Sequence, residues 1–391
     1  MAPSGAHGRF RDTALRLTRV WLTDFRNHAA TDLELPVGLT VVTGANGEGK
    51  TNLLEALAWL GSLQSFRGVP NDALLRDGAE QAIIRATMEG AGRHAVVEAA
   101  IGRGRTRVQL NRKPLRRADD LLGQLRVTVF TPDDLVIVKG GPAERRRLLD
   151  DIATAVHGRH RRLRTAVDRI LRQRNTLLRQ AGGRLDAESE ATLAVWDTKL
   201  ASAGEELADA RAAVVDAIRP ALQAAYAAVS ASDDEVTLQY EAPWRDTGLT
   251  EALLMARRDE LRRGVSLVGP HRDDLHIGLA GLPARTHASQ GEQRSLALGL
   301  RLAGHEMVRD VTGVEPVVLL DDVFSELDDR RAARLVRCLP AAQTILTTAT
   351  GSVPDDLHPQ LWVEVSGGRP VALASPPTAP SHSHDDRVSD G

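Results

Sequence analysis

Between positions 44 and 51 the chain reads Gly44-Ala45-Asn46-Gly47-Glu48-Gly49-Lys50-Thr51, which satisfies G-x-x-x-x-G-K-[ST]. This spacing suits phosphate chemistry. The glycines let a loop wrap a phosphate with its own N–H groups, and a helix starting near Lys50 adds the partial positive charge of its N-terminus. Lys50 can then reach the β- and γ-phosphates of ATP, and the Thr51 hydroxyl can sit on Mg²⁺. Only four of the 50 basic residues are lysines, so a lysine at this position stands out. The alternative is a glycine-rich turn before a helix. A second element, Val317-Val318-Leu319-Leu320-Asp321-Asp322, is an apolar run ending in acids. Asp321 at such a strand end is suited to hold Mg²⁺ through its shell; taken alone, the run is a buried strand stopping at an acidic turn. The third element is Ser289-Gln290-Gly291-Glu292-Gln293, with Ser289 as helix cap and Glu292 at the third helical position. That is a capping box, and it is also an N–H-rich anion site.

These residues need elements to hold them. Gly38-Leu39-Thr40-Val41-Val42-Thr43 reads as a buried strand leading into the phosphate loop, and a helix follows from about Lys50 through Leu57. Leu15 to Leu22 alternates as a strand does, and Leu33-Glu34-Leu35 follows it. Val96–Ile101 and Thr106–Leu110, separated by Gly102-Arg103-Gly104, form a hairpin. Near Pro142 the character changes. Two long helical stretches, 143–180 and 187–228, flank a Gly182-Gly183 turn. Leu148, Ile152 and Val156 stripe the first, and Trp196, Leu200 and Leu207 the second, which predicts a helical hairpin or short coiled coil inserted into an α/β domain. Strands return at Val236–Tyr240, Leu275–Leu279, Pro316–Leu320, Thr344–Thr347 and Leu361–Val365. The expected organisation is a loose extension over 1–13, the first part of an ATPase domain over 14–141 and a helical arm over 142–235. The second ATPase part spans 236–373, and a disordered tail 374–391.

Lys50 and Asp321 lie 271 positions apart, too far for a compact GTPase-like domain. The order phosphate loop, Ser-x-Gly-Glu-Gln, acidic strand and Ser325-Glu326-Leu327-Asp328 resembles the ABC-type ATPases. Within them the long inserted arm is similar to the SMC and RecF/RecN group, and the match to the RecF family spans nearly the whole chain. It rests on Phe25-Arg26-Asn27, on Asn46 to Ala56, on Val129-Phe130-Thr131-Pro132-Asp133-Asp134-Leu135, and on Gly141-Pro142-Ala143-Glu144-Arg145-Arg146. Gly269-Pro270-His271-Arg272-Asp273-Asp274 and Ser289 to Arg294 complete it.

The resemblance implies an ABC-type P-loop ATPase head with an inserted lever arm. It implies binding of ATP and Mg²⁺ by Gly44 to Asn52, with Arg26 and Asn27 beside them, Thr51 and Asp321 as metal residues, and Lys50 and Asp322 as catalytic residues. Ser289, Gln290 and Gly291 of a second copy would close on the γ-phosphate, giving an ATP-dependent homodimer. It further implies slow, DNA-stimulated hydrolysis, recombinational gap repair with RecO- and RecR-type partners, replication recovery and the SOS response. Three positions depart from the wider pattern. His28 stands where the family carries an aromatic. Asp322 replaces the usual ABC glutamate, as in RecF proteins. No switch histidine follows Thr344–Thr347, leaving Thr348 as the stand-in. Rival readings are a transporter ATPase subunit, which needs a membrane partner, and an ATP-binding scaffold that does not hydrolyse.

Two basic regions are candidates for DNA phosphates. From Glu144 to Arg179 eleven arginines face four acids, a net +7 within a chain of net charge −2. Arg161 and Arg162 belong to it, and the alternative is a solvated face paired with the acidic second helix. The other region carries Arg103, Arg105, Arg107, Arg112, Lys113, Arg116 and Arg117 on the hairpin. Aromatics make up 3% of the chain, so contact with duplex, gapped or junction DNA should be backbone-led and sequence-independent. His271, Asp273 and Asp274, which have the donors of a metal site, read better as a polar turn. The chain is 391 residues long, 42% hydrophobic and 26% charged, enough to bury a sizeable core. One cysteine, Cys338, excludes an internal disulfide framework and suits a reducing cytosol. No apolar run approaches a membrane span and residues 1–11 lack an apolar leader, so the expectation is a soluble cytoplasmic protein.

Overall fold

The computed structural model describes residues 16–90, 92–349, 351 and 353–375. The extension 1–13 and the tail beyond 375 lie outside the described residues. The chain opens with β1 (Arg16–Phe25), β2 (His28–Glu34), β3 (Leu39–Thr43) and α1 (Lys50–Ser62). Then come β4 (Gln81–Gly90), β5 (Arg93–Gly102), β6 (Arg105–Leu110), β7 (Lys113–Pro114) and β8 (Val127–Phe130). A helical region follows: α2 (Leu135–Lys139), α3 (Pro142–Val156), α4 (Arg159–Gln180) and α5 (Ala187–Ser230). Next are β9 (Val236–Glu241), α6 (Leu249–Arg263), β10 (Asp274–Leu279), β11 (Leu282–Pro283) and α7 (Ala284–His287). The last elements are α8 (Gln290–Thr312), β12 (Val317–Asp321), α9 (Asp329–Cys338), β13 (Thr344–Thr347), β14 (Leu361–Ser366) and β15 (Arg369–Leu373).

The central sheet has the order β15-β14-β3-β13-β12-β8, with β14, β3, β13, β12 and β8 parallel. Every residue of β3, β12 and β13 is buried, as expected where both faces are covered. On one face Val42, Leu319, Ile345 and Val363 pack with α1 and with the inner face of a second sheet, β2-β1-β4-β5-β6-β7. On the other face Val41, Val318, Leu320 and Leu346 meet Val229 of α5, Leu298 and Leu302 of α8, and Leu335 of α9. The phosphate loop after β3 and the acidic end of β12 therefore sit at the carboxyl ends of two parallel strands with only β13 between them, on the edge where such folds place ligands.

The arm differs from the sequence expectation in one respect. The predicted continuous helix 143–180 is broken at His157-Gly158 into α3 and α4. His157 is extended, and a Cβ on Gly158 would lie 2.7 Å from Leu122, so glycine lets the chain turn tightly past that side chain. The second stretch holds as α5, which runs through Pro220. At ~1.5 Å per residue its 44 residues span about 66 Å. Its first half joins α4 around Val167, Leu171, Leu200 and Leu207. Trp244, Leu249 and Leu253, C-terminal to the predicted arm, pack into the same cluster. Its second half packs on α8 and β9 around Val215, Ile218 and Leu222.

Buried ion pairs fasten this region. Arg145 bonds Asp274 through two nitrogens, at 2.7 and 2.9 Å. Arg211 does the same to Asp150 and adds the Pro270 carbonyl at 2.7 Å. The fully buried Arg174 reaches Asp197, Glu260 and Ser266. His271, Asp273 and Asp274 act as structural groups. Asp273 accepts from Tyr240 and Trp244, Asp274 holds Arg145, and His271 bonds the Ser266 carbonyl. Among the described residues no cluster of His, Cys, Asp and Glu has the form of a metal site.

Candidate nucleotide and nucleic-acid site

Gly49 caps α1 with φ of 117°, a conformation that favours glycine, and a Cβ there would crowd Asn27 and His28. The Lys50 ammonium folds back onto the Gly44 and Ala45 carbonyls, at 2.6 and 2.8 Å. Burial lowers its pKa, and the nearby Asp322, Asp321 and Glu48 charges oppose that shift. The N–H groups of Gly47, Gly49, Lys50 and Thr51 find no acceptor among the described residues. A loop of unused donors around a buried ammonium fits a phosphate chain.

Thr51 and Asp321 are brought together. The threonine hydroxyl donates to Asp321 Oδ1 at 2.7 Å. Thr347 Oγ1 donates to the same oxygen at 2.8 Å and accepts the Asp322 N–H at 3.0 Å. Burial raises the Asp321 pKa, and these two hydroxyls counter it. A hydroxyl and a carboxylate held this way are oxygen donors suited to Mg²⁺. Sequence reasoning named Thr348 as the switch stand-in; the structure gives the contact with the acidic strand end to Thr347. The register explains it, since Thr347 lies directly beside Asp321 in the parallel pair β12 and β13. Asp322 adopts φ of 50°, a left-handed conformation aspartate tolerates, turning the chain sharply after the strand.

Several residues expected at the nucleotide instead brace the loop. Arg26 forks onto Glu55 of α1 at 2.9 and 3.1 Å. Asn27 donates to the Glu48 carbonyl at 2.9 Å and accepts from Asn52 at 2.8 Å. Glu48 points away from the loop mouth, its carboxylate on the Gly367 N–H and its carbonyl on that of Gly368, in the β14–β15 turn. Gly368 has no room for a side chain because the Asn27 carbonyl fills that place. Ala45, Asn46 and Gly47 remain exposed.

His28, the departure from the family aromatic, is fully buried, with Nε2 3.0 Å from the Gly49 carbonyl and Nδ1 2.9 Å from Thr31 Oγ1. A carbonyl only accepts, so the neutral ring carries its proton on Nε2, and burial favours that neutral form. Sequence reasoning missed this brace; the replaced aromatic was the only signal.

The Ser289 box forms as expected. Ser289 Oγ accepts the Glu292 N–H at 3.3 Å, and Glu292 accepts the Ser289 N–H at 2.7 Å. Ser289 and Gln290 are exposed at the start of α8. No hydrogen bond or ion pair among the described residues joins Ser289–Gln293 to the loop 44–52.

The basic regions separate clearly. Arg103, Arg105, Arg107, Arg112, Lys113, Arg116 and Arg117 are all exposed, and none of their charged groups forms an ion pair among the described residues, although the Arg117 backbone N–H donates to Asp120 at 3.2 Å. Arg112 is held at φ of 64° at the β6–β7 turn, where a glycine would be less strained. Arg161, expected to face DNA, is instead a clamp: it bonds Asp119 at 3.0 Å and the Ser62 and Leu63 carbonyls. Arg162 lies 4.0 Å from Asp120 and stays 45% exposed. Of the other arm arginines, 145, 147, 164 and 174 are paired with carboxylates. The acids that pair them lie chiefly on α3, β10 and α6 rather than on the acidic start of α5.

The RecF/RecN/SMC N terminal domain family matches residues 16–356. A Frankia alni protein named DNA replication and repair protein RecF is 43% identical over 374 residues, covering 90% of this chain and 98% of the relative. A Kineococcus radiotolerans protein of the same name is also 43% identical over 374 residues, covering 88% and 94%. A solved RecF, described as a recombination mediator protein with ATP in the RecFOR pathway, superposes with a TM-score of 0.84. It is 26% identical and covers 95% of this chain and 100% of its own.

Proposed function

The chain belongs to the RecF family of DNA replication and repair proteins, and from that premise we propose that it is a cytoplasmic, ATP-gated DNA clamp. ATP docks on Gly44–Asn52, with Lys50 leaving the Gly44 and Ala45 carbonyls for the β/γ-phosphates. Thr51 and Asp321 hold Mg²⁺, which neutralises phosphate charge. Arg26, Asn27 and His28 keep the loop in shape from behind.

The observation that carries the reading is the separation of the two anion sites. Ser289 and Gly291 open α8 at an exposed helix start with no tie to the phosphate loop of their own chain. Ser289, Gln290 and Gly291 therefore cap a γ-phosphate held by a second copy, which makes ATP the glue of a homodimer. Asp322 orients water for attack on the γ-phosphorus; the γ-phosphoryl group passes to that water and ADP leaves. A carboxylate one methylene shorter than glutamate, beginning at a left-handed backbone, suits slow turnover. Closure brings the exposed cations Arg103, Arg105, Arg112 and Lys113 of both copies, with Arg162 beside them, to duplex, gapped or junction DNA. Those contacts reach phosphates and carry no sequence preference. RecO- and RecR-type partners are supported by the RecFOR setting of the solved relative. The relatives' names give a transporter role no support, and no helix among the described residues is long and apolar enough to cross a membrane.

Fluorescence anisotropy of a gapped duplex tests the gate. ATP–Mg²⁺ should tighten DNA binding at least about tenfold over ADP in the wild type, or about 1.4 kcal/mol, and not at all in Lys50→Met. Equal affinity under ATP and ADP would remove the gate.

A further inference from the structure

Arg331 of α9 lies where the γ-phosphate half-site has its glycine. A Cβ on Gly291 would sit 2.5 Å from Arg331 Nη2 and 2.9 Å from its Cζ, so the guanidinium rests on the first turn of α8. Its Nη1 bonds Asp328 Oδ2 at 2.5 Å, while Asp328 Oδ1 separately accepts the Arg331 backbone N–H at 2.9 Å. The guanidinium can leave Asp328 without undoing the cap of α9. Its Nε is buried and bonds nothing among the described residues, although the side chain as a whole is 32% exposed.

The surrounding charges make this cation matter. The Glu292 carboxylate already occupies the Ser289 N–H at 2.7 Å, a donor that an incoming phosphate would use. Arg294, the other basic residue of this turn, is committed to Glu326 through its side chain and to the Glu326 carbonyl at 2.5 Å. A doubly charged γ-phosphate approaching Ser289 thus meets an acid first, and Arg331 is the cation beside it that has a donor to spare.

We propose that Arg331 binds the γ-phosphate of the nucleotide held by a second copy of this chain. The proposal rests on the reading of Ser289–Gln293 as the half-site that closes in trans. On closure the guanidinium exchanges Asp328 for γ-phosphate oxygens, which its planar fork matches better than an ammonium does. It offsets Glu292 and stabilises the charge on the transferring group. A side chain at Gly291 would displace the guanidinium from this resting place.

The test is steady-state ATP turnover with DNA present, for wild type, Arg331→Gln, Arg331→Lys and mixtures with Lys50→Met. Arg331→Gln should turn over about a hundredfold more slowly. ATP affinity of the separated chains should be unchanged, because each keeps its own phosphate loop. Arg331→Lys should keep a larger share of the rate, and it decides the matter if the glutamine variant melts early. Equimolar Arg331→Gln and Lys50→Met should turn over at least about tenfold faster than either variant alone, because a mixed dimer joins the intact phosphate loop of one copy to the intact Arg331 of the other. Turnover of Arg331→Gln at the wild-type rate, loss of its ATP affinity, or a mixture as inactive as its components would overturn the proposal. If the wild type dimerises on ATP while complementation fails, this proposal alone falls. If the wild type never dimerises, the half-site reading falls first.

Discussion

The Thr51 hydroxyl donates to the Asp321 carboxylate across 2.7 Å, joining the start of α1 to the end of β12 over 270 positions of sequence. Both groups must face one ion for the pair to serve Mg²⁺. Thr51→Val should therefore abolish the gain in ATP affinity that Mg²⁺ provides, at least about tenfold, while Thr51→Ser retains it. Titration calorimetry with and without Mg²⁺ reads this directly, and an unchanged Mg²⁺ dependence in Thr51→Val would contradict the assignment.

His28 holds the Gly49 carbonyl, which also accepts the Leu53 N–H at 2.9 Å. His28→Phe fills the same space with the family's usual residue type and removes one donor. The expected cost is about 1 kcal/mol of stability and a few-fold of ATP affinity, with the fold intact. Melting together with nucleotide titration checks it. Loss of the fold would mean that the imidazole has a larger structural part than one hydrogen bond.

Arg174 is fully buried between Asp197 and Glu260. Arg174→Met leaves both carboxylates without their guanidinium and should cost about 3–5 kcal/mol, read by chemical denaturation. A change below about 1 kcal/mol would show that the acids find other partners.

Burial pushes the His271 imidazole down to about 4, from 6.5. Between those values the unfolded chain binds the proton and the folded chain does not, so stability is full above pH 6.5 and is lost as pH falls towards 4. The whole loss amounts to roughly 3 kcal/mol. His271→Gln should flatten this part of the acid limb, seen as a smaller fall in melting temperature from pH 7 to pH 4.5 than in the wild type. An equal fall in both would place the acid sensitivity elsewhere.

The two basic regions should part in a salt titration of DNA binding. Arg105→Glu with Arg107→Glu should weaken binding across all sequences and reduce the slope of log affinity against log salt by about 1 for each phosphate no longer neutralised. Arg161→Ala should lower stability through Asp119 and leave that slope unchanged. The reverse outcome would move the DNA surface onto the arm.

Much of this was legible in the sequence because it is local. The strand before Gly44, the helix from Lys50 and the capping box at Ser289 each follow from a few neighbouring residues. What was not legible depends on register and on chain crossings. Thr347 rather than Thr348 meets Asp321 because two parallel strands align at that position. The break at Gly158 answers to Leu122, thirty-six positions earlier, which no helical periodicity reveals. Arg161 looked like part of a basic stripe, yet its partners Ser62 and Leu63 lie about a hundred positions away. Charge counts along one helix cannot tell a phosphate contact from a buried clamp; the hairpin cations could be told apart only by their lack of ion pairs among the described residues.

The central claim is that ATP joins two copies through the phosphate loop of one and Ser289–Gln293 of the other. Light-scattering mass of the apo and ATP–Mg²⁺ forms, each with and without a gapped duplex, tests it most directly. The account predicts monomers without ATP, dimers that retain DNA with it, and monomers throughout for Lys50→Met and Ser289→Arg. A wild type that binds ATP and keeps the mass of a monomer would contradict it.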